Sequence, residues 1–373
     1  MLNGKMRRAR RGTWKGSRLL LPARILALAV ILSMVGCSTA KPTQDEQPVP
    51  EPEKPTVNPL TGETVSSWDM VTRRPLAVKV ENDPKARPQS GIVDADLVIE
   101  ELVEGGVTRF ICIFLSKEPP VIGPTRSARP SDIDITCFLD PLLICSGGAR
   151  EVMSMIKASG MKYIEEDGVH FWRDRSRRAP HNLYTSSELL RRYLVESGDD
   201  FRKLPESGFI FITQAEGEGA APGGTPPGEE GGEGSVMVSP ATTIEIPYKA
   251  SACAASYQYD AATGTYLHSI SGAPHNDLTT GKRVAPRNVI VQFVTTSSSG
   301  IRDVTGSETP NMQVIGNGKC LVFSGGEVHR GTWKKANRSS PTLFLDEKGN
   351  LIPLRPGQTW IHLVTEDIGA TYR

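Results

Sequence analysis

The sequence lacks an excess of either charge. Over 373 residues, 43 Lys and Arg stand against 42 Asp and Glu, a formal net charge of +1. Nucleic-acid-binding proteins use a basic excess to contact phosphates, so we expect no nucleic-acid partner. Aromatic residues are also few, at 6%, and hydrophobic residues make up 38%. That content is low for a globular chain but too high for a wholly disordered one, so we expect folded regions joined by polar segments.

Common catalytic signatures are also absent. The sequence has no G-x-S-x-G, H-E-x-x-H, P-loop or dinucleotide-binding pattern, so the common hydrolase, protease and nucleotide-binding classes lack direct support. No C-x-x-C pair is present either, which argues against a structural zinc site. We therefore predict no cofactor and no metal, and the sequence leans against an enzyme without deciding the question.

The N-terminus has the features of an export signal. Residues 1–36 contain eight bases and no acid, and they end in an apolar run over 25–36 that is too short to span a bilayer comfortably. The residues Met34-Val35-Gly36-Cys37 resemble the lipobox of bacterial lipoproteins, in which the cysteine sulfur receives a diacylglycerol. We expect a lipid-anchored protein outside the cytoplasm, with the bilayer as a partner through acylated (palmitate-type) Cys37. The alternative is an uncleaved anchor helix.

Removal of this leader changes the charge of the protein. Residues 37–373 hold 35 bases and 42 acids, a net charge of −7. An acidic body is repelled by anionic wall polymers and lipid headgroups. An anionic ligand would therefore have to be bound by a local group of arginines rather than by overall charge.

Composition divides the rest of the chain into four parts. Residues 37–69 begin with a Pro-rich stretch that we interpret as a tether, and residues 216–235 (EGEGAAPGGTPPGEEGGEGS) form a polar loop or linker. Between them, residues 70–215 alternate strand and helix patterns, with helices expected over 149–159 and 186–197. Residues 236–373 show about ten short strands. We predict an α+β or α/β N-terminal domain and a mostly antiparallel β C-terminal domain, a sandwich or a barrel.

One predicted hairpin brings charges together. Two apolar runs, 96–103 and 107–115, are joined at Gly105-Gly106. With a two-residue loop, Leu102 faces Arg109, so Arg109 lies diagonally between Glu100 and Glu104. One interpretation is the charged floor of a cleft, with one Glu as a general acid. The other is a cross-strand ion pair on a solvated face.

Two further segments are rich in arginine. Arg126 and Arg129 lie between prolines in the segment 123–130, where a restricted backbone would hold their guanidinium groups in place. The segment 168–184 combines cations, aromatic rings and amides that suit a carboxylate- or phosphate-bearing ligand. A solvated basic loop is the alternative. From this segment the candidate ligand-binding residues are Trp172, Arg173, Arg175, His181 and Asn182.

The second half offers a weaker candidate. His275 and Asp277 lie two residues apart in a loop and could bind a metal or act as a catalytic pair, but with no third ligand at a useful spacing the pattern favours a turn stabilised by an Asx-type hydrogen bond. His268, His329 and His362 lie within strands and are expected to be ordinary core or surface residues. Without Cys37, five cysteines are left, so at least one is unpaired within the chain. A bridge between Cys137 and Cys145 stays possible.

Several motifs together resemble the bacterial YerB-like lipoproteins, over about residues 70–373. That family consists of paired domains of unknown function, so the resemblance implies no catalytic residues. The motifs that carry it, besides the lipobox and tether, are residues 75–78 (PLAV), 86–91 (ARPQSG), 102–110 (LVEGGVTRF), 123–129 (GPTRSAR), 171–174 (FWRD), 179–184 (APHNLY), 288–292 (NVIVQ), 331–335 (GTWKK) and 356–361 (PGQTWI).

These observations favour a membrane-anchored protein that binds an anionic cell-envelope ligand or an envelope partner protein through the first-domain residues named above. One alternative is a hydrolase of glycan or phosphodiester links that uses Glu100 or Glu104. Another is a regulatory or scaffold partner of cell-wall synthesis that uses the β domain as its contact surface.

Overall fold

A computed structural model describes residues 56–200, 207–212, 238–303 and 306–373. The predicted leader 1–36, Cys37 and the linker 216–235 lie outside the described residues. Residues 58–61, which we expected to belong to the tether, are instead part of the folded body. Leu60 is fully buried, and Asn58 Nδ2 donates to Asp96 Oδ1 at 2.6 Å. Residues 58–61 belong to the fold because the apolar side chain of Leu60 is removed from water and Asn58 bonds to a buried carboxylate.

The described residues contain four α-helices and twenty strands. The helices are α1 (Asp69–Thr72), α2 (Ser131–Thr136), α3 (Arg150–Ser159) and α4 (Ser187–Ser197). The strands of the first half are β1 (Leu76–Glu81), β2 (Leu97–Leu102), β3 (Thr108–Phe114), β4 (Leu142–Cys145), β5 (Lys162–Glu165), β6 (Trp172–Arg173) and β7 (Leu183–Tyr184). Those of the second half are β8 (Val238–Pro240), β9 (Thr243–Ile246), β10 (Ala255–Asp260), β11 (Thr265–Ile270), β12 (Ala273–Pro274), β13 (Asn288–Phe293), β14 (Thr295–Arg302), β15 (Glu308–Gln313), β16 (Gly316–Ser324), β17 (Glu327–Lys335), β18 (Leu343–Leu345), β19 (Thr359–Val364) and β20 (Thr371–Tyr372).

One large sheet runs through both halves of the chain. Its strand order is β18-β17-β16-β13-β19-β2-β3-β1-β4-β5, with β8 added against β17. The junction is the parallel pair β19–β2, where Thr359 lies opposite Leu97. A second sheet, β12-β11-β10-β9-β20, is antiparallel throughout. The predicted fold classes of the two halves are confirmed, but the C-terminal strands do not close into a barrel of their own.

The central strands of the large sheet, β1 to β4 and β19, are buried on both faces, and we name these faces by what they carry. The charged face holds Lys79, Glu81, Glu101 and Arg109, because these residues lie side by side across β2, β3 and β1. Helix α2 lies on this face, where Ser131 Oγ donates to Glu101 Oε2 at 2.7 Å. The histidine face holds Glu100, Phe110, Trp360 and His362, and the second sheet covers it. Sheets with both faces covered carry nearly continuous apolar strands, as β1 to β4 do.

Both predicted helices of the first half form. Helix α4 begins after Ser186, whose side chain accepts from Leu189 N, and α3 ends at Gly160, which adopts φ +76°. The five cysteines in the described part of the chain are all free, including Cys137 and Cys145. No helix in the described residues combines the length and the hydropathy needed to cross a membrane.

Candidate functional site

The candidate site lies at the carboxyl ends of three parallel strands. Strands β1, β4 and β5 are parallel neighbours, so residues that follow them meet at one edge of the sheet. The segment 124–128 inserts between the ends of β1 and β4. Its backbone bonds on one side to Lys79 O and on the other to Ser146 N and Gly147 O. This insertion places Arg126, Ser127 and Arg129 at the strand ends, although the sequence offered no register for them.

Glu81, the last residue of β1, holds two of the predicted site residues. Its Oε1 lies 3.0 Å from His181 Nδ1 and 3.1 Å from Arg126 Nε. The Arg126 contact is an ion pair without hydrogen-bond geometry, since Arg126 Nε has no hydrogen-bond partner among the described residues. Burial raises the pKa of Glu81, and the charges of Arg126 and His181 oppose that rise. A buried carboxylate thus fixes one guanidinium at the edge while leaving that group's terminal nitrogens uncommitted.

Arg109 is the least compensated charge of the site. It is 8% exposed and makes one hydrogen bond, from Nη1 to Ser127 O at 2.7 Å. No ion pair of Arg109 within 4.0 Å occurs in the described part of the chain. Burial, together with the charges of Arg129 and Arg126, lowers the pKa of Arg109 to about 9. The charges of Glu104 and Glu101 oppose this shift, but neither carboxylate forms an ion pair with Arg109 within 4.0 Å in the described residues. A desolvated guanidinium with like charges beside it and no ion pair of its own is an arrangement that an anion would stabilise.

Arg129, by contrast, has a carboxylate partner. Its Nη2 donates to Glu104 Oε2 at 2.5 Å and its Nη1 to Ala128 O at 2.8 Å. Thr309 Oγ1 also donates to Glu104, from the β14–β15 hairpin of the second half. Burial would raise the pKa of Glu104, but the hydrogen bond and charge of Arg129 outweigh it and lower that pKa. Glu104 therefore acts as a counter-ion that ties the two halves of the chain together.

A buried triad beside these residues was missed by the sequence reasoning. Lys79 Nζ donates to Asp132 Oδ1 at 2.7 Å and to Glu101 Oε1, and all three side chains are fully buried. Burial, with the nearby charge of Glu101, raises the pKa of Asp132 to about 7. A lone Lys in the apolar run of β1 was the available signal, because a lysine on a strand with both faces covered needs an acidic partner.

The segment 168–184 supplies a separate cluster at the rim. Arg173 donates from Nε to Glu166 Oε1 at 2.8 Å and from Nη1 to Asn182 Oδ1 at 2.9 Å. Trp172 stacks on Tyr184 with ring centroids 6.2 Å apart. Arg175 is exposed. Of residues 172–178, only Trp172 and Arg173 belong to a strand.

Glu100 does not belong with the arginines, and the predicted hairpin register was wrong by one residue. The turn spans Glu104–Gly106 rather than two glycines, and Val103 N donates to Val107 O at 2.8 Å. Arg109 therefore lies opposite Glu101 in the backbone register of β2 and β3. Because side chains alternate along a strand, the one-residue shift moves Glu100 to the histidine face. There it accepts from Thr108 Oγ1 at 2.6 Å and lies 3.2 Å from His362 Nδ1.

His275 and Asp277 also separate from each other. Asp277 Oδ1 accepts from Thr279 N and Thr280 N at 3.0 Å, which is the Asx-type turn. His275 is buried on the histidine face, 2.9 Å from Gln89 Oε1 and 2.9 Å from His268 Nδ1. No group of three or more His, Cys, Asp or Glu within the described ranges is arranged to hold a metal ion.

The histidine face contains a hydrogen-bonded chain whose proton positions follow from its partners. Gln89 Nε2 donates to Glu81 O, so Gln89 Oε1 accepts from His275 Nε2. Neutral His275 then accepts at Nδ1 from His268, and the remaining His268 Nε2 is buried without a hydrogen-bond partner in the described residues. Sequence reasoning treated His268 and His362 as ordinary strand residues, because it could not see that the second sheet stacks on the first.

Comparisons with known proteins place this chain in a family. Residues 60–200 match the "Protein of unknown function (DUF3048) N-terminal domain" and residues 244–361 match the corresponding C-terminal domain. The chain therefore belongs to the DUF3048 family.

One relative shares most of its length with this chain. The "Putative lipoprotein YerB" of Bacillus subtilis (strain 168) is 31% identical over 329 residues, which cover 87% of this chain and 90% of that protein. The crystal structure of the YerB protein from Bacillus subtilis matches with a TM-score of 0.71 and 28% identity, covering 85% of this chain and 99% of that one. The resemblance expected from the sequence motifs is thus confirmed, and so is the fold.

Proposed function

We propose that this chain is a membrane-anchored lipoprotein outside the cytoplasm that binds an anionic cell-envelope ligand at the carboxyl-end site, through Arg109 and Arg126. The observation that carries the proposal is Arg109, a buried guanidinium with one backbone hydrogen bond and no carboxylate partner in the described residues. The lipobox at residues 34–37 and the naming of a relative as a lipoprotein support the location.

Arg126 supports the same ligand class. Its side chain is 23% exposed and its Nε faces Glu81, so its terminal nitrogens stay available at the surface. An anion placed there would contact one open and one buried guanidinium. Charge-assisted hydrogen bonds of this kind are about twice as strong as neutral ones, and they gain further where water is excluded.

Hydrolysis by Glu100 or Glu104 has less support. A general acid needs a pKa near the working pH, whereas Arg129 lowers the pKa of Glu104. Glu100 is 1% exposed and lies beneath the second sheet, away from the arginines. A role as a partner of cell-wall synthesis stays a prediction, and crosslinking in the native membrane would detect it.

The proposal is tested by calorimetric titration of the full chain with soluble anionic wall-polymer fragments. We expect Arg109→Met and Arg126→Met each to weaken binding at least about tenfold, or about 1.4 kcal/mol. Arg192→Met is the matched control, because Arg192 is an exposed arginine on α4 with Glu196 as its neighbour.

Thermal melting of each variant checks that the fold is kept. Affinity that stays unchanged in both Arg109→Met and Arg126→Met, with Arg192→Met as a reference, would remove the assignment. Equal weakening in all three variants would do the same, because it would indicate a general charge effect. The proposal would be strengthened if rising salt concentration lowered the affinity of the wild type and of Arg192→Met but not that of Arg109→Met or Arg126→Met.

A further inference from the structure

A cavity lies on the charged face, beyond the triad of Lys79, Glu101 and Asp132. Its floor is formed by apolar residues of β2 and β19, among them Ile99 and Ile361, and its cover includes Phe138 and Phe209. The cavity contains about 410 Å³ that is free of protein atoms, and part of this volume is open to solvent. The centre of a water molecule fits within only about 30 Å³ of the cavity. The space is therefore narrow, and its walls are predominantly apolar.

One of the few polar groups in this cavity has no partner. Gln292 on β13 is 2% exposed, lines the cavity, and its Nε2 has no hydrogen bond within the described ranges. A buried amide without a hydrogen bond costs on the order of 1–3 kcal/mol in proteins. An acceptor from outside the chain would remove this cost.

A second polar group carries a buried positive charge without an ion pair in the described residues. Lys335, the last residue of β17, is 1% exposed and also lines the cavity. Its Nζ donates to Ser340 O and lies 4.6 Å from the ring centroid of Phe138, and no ion pair of Lys335 within 4.0 Å occurs in the described part of the chain. Burial lowers the pKa of Lys335 to about 8. The ammonium is thus desolvated, and a neighbouring anion would stabilise it.

We propose that this cavity binds an anionic amphiphile, a slim apolar chain that carries a carboxylate. Lys335 supplies the charge, Gln292 supplies a hydrogen-bond donor, and the apolar walls cover the chain. Both polar groups are donors, so the ligand brings acceptor oxygens. The narrow space favours a linear chain over a ring system. This site is separate from the arginine site at the strand ends, and the inference does not depend on it.

The test uses decanoate as the probe and the full chain, titrated by calorimetry below the micelle concentration of the probe. We expect saturable binding of one decanoate, and we expect Lys335→Met to weaken it at least about tenfold. Decanol, which has the same chain and no charge, should bind Lys335→Met as well as it binds the wild type. Lys334→Met is the matched control, because Lys334 is the exposed neighbour on the opposite face of β17.

A second variant keeps the test independent of folding. Gln292→Leu removes the unpartnered amide and should melt no lower than the wild type, while decanoate binding weakens. The proposal is overturned if the wild type binds no decanoate, which would leave ordered water as the partner of Gln292. It is equally overturned if Lys334→Met weakens decanoate as much as Lys335→Met does, because the effect would then come from surface charge.

Discussion

The two faces of the large sheet bury ionisable groups by opposite means. The charged face keeps ions and pairs them: Lys79 lies between Glu101 and Asp132, and Arg129 pairs with Glu104. The histidine face keeps two of its histidines neutral, since burial lowers the pKa of His268 well below its usual value and that of His275 to about 3. The anion-binding site that we propose lies on the charged face, where buried charges are already present. There, one unpaired Arg109 stands among paired neighbours.

The largest expected effect on stability comes from a substitution that breaks the ion pairs on the charged face. Lys79→Met leaves Glu101 and Asp132 buried without a counter-ion, so we expect a loss of about 3–5 kcal/mol in the free energy of unfolding. Urea denaturation measures it, and Lys85→Met, an exposed lysine, is the control. A loss below about 1 kcal/mol would show that the triad is not a charged pair network.

Lowering the pH from 7 to 5 should change the contributions of the two faces to folding stability in opposite directions. The pKa of His275 is about 3 in the folded chain against about 6.5 unfolded, so its stabilising effect is present above pH 6.5 and is lost as pH falls toward 3. At pH 5 the loss is about 2 kcal/mol. Asp132, with its pKa raised to about 7, instead favours folding as pH falls from 7 toward 4. We expect His275→Gln to reduce the loss between pH 7 and pH 5, and Asp132→Asn to increase it, in thermal melts.

The contrast would fail if both variants shifted the pH dependence in the same direction. An unchanged profile in His275→Gln would show that this histidine is already charged in the folded state, contrary to its burial between Gln89 and His268.

The smallest expected effect lies outside both faces. Arg173 and Glu166 form an exposed ion pair at the rim, with side-chain exposures of 40% and 33%. Exposed pairs contribute about 0–1 kcal/mol, so Arg173→Met should lower stability by less than about 1 kcal/mol in urea denaturation. Arg129→Met is the informative comparison, because removal of this arginine leaves Glu104 buried and unpaired. It should lower the free energy of unfolding by more than Arg173→Met does. A larger loss for Arg173→Met than for Arg129→Met would contradict this account.

Local patterns predicted the elements well and the site only in pieces. The hairpin around Gly105 and the helix that stops at Gly160 follow from apolar runs and turn residues, which act over a few positions. The hairpin register failed because the sequence cannot distinguish a two-residue turn from the three-residue turn at Glu104–Gly106. That one residue decides which face receives Glu100.

The sequence by itself determined the elements, the fold class of each half, the lipobox motif at Cys37 and the family motifs, because these depend on residues close together in the chain. Tertiary structure alone decided which charges meet. Arg109, Arg126 and Glu81 come together because segment 124–128 inserts between two strand ends, and His275 meets Gln89 because one sheet covers another. Such contacts join residues up to nearly two hundred positions apart, and packing rather than local propensity selects them.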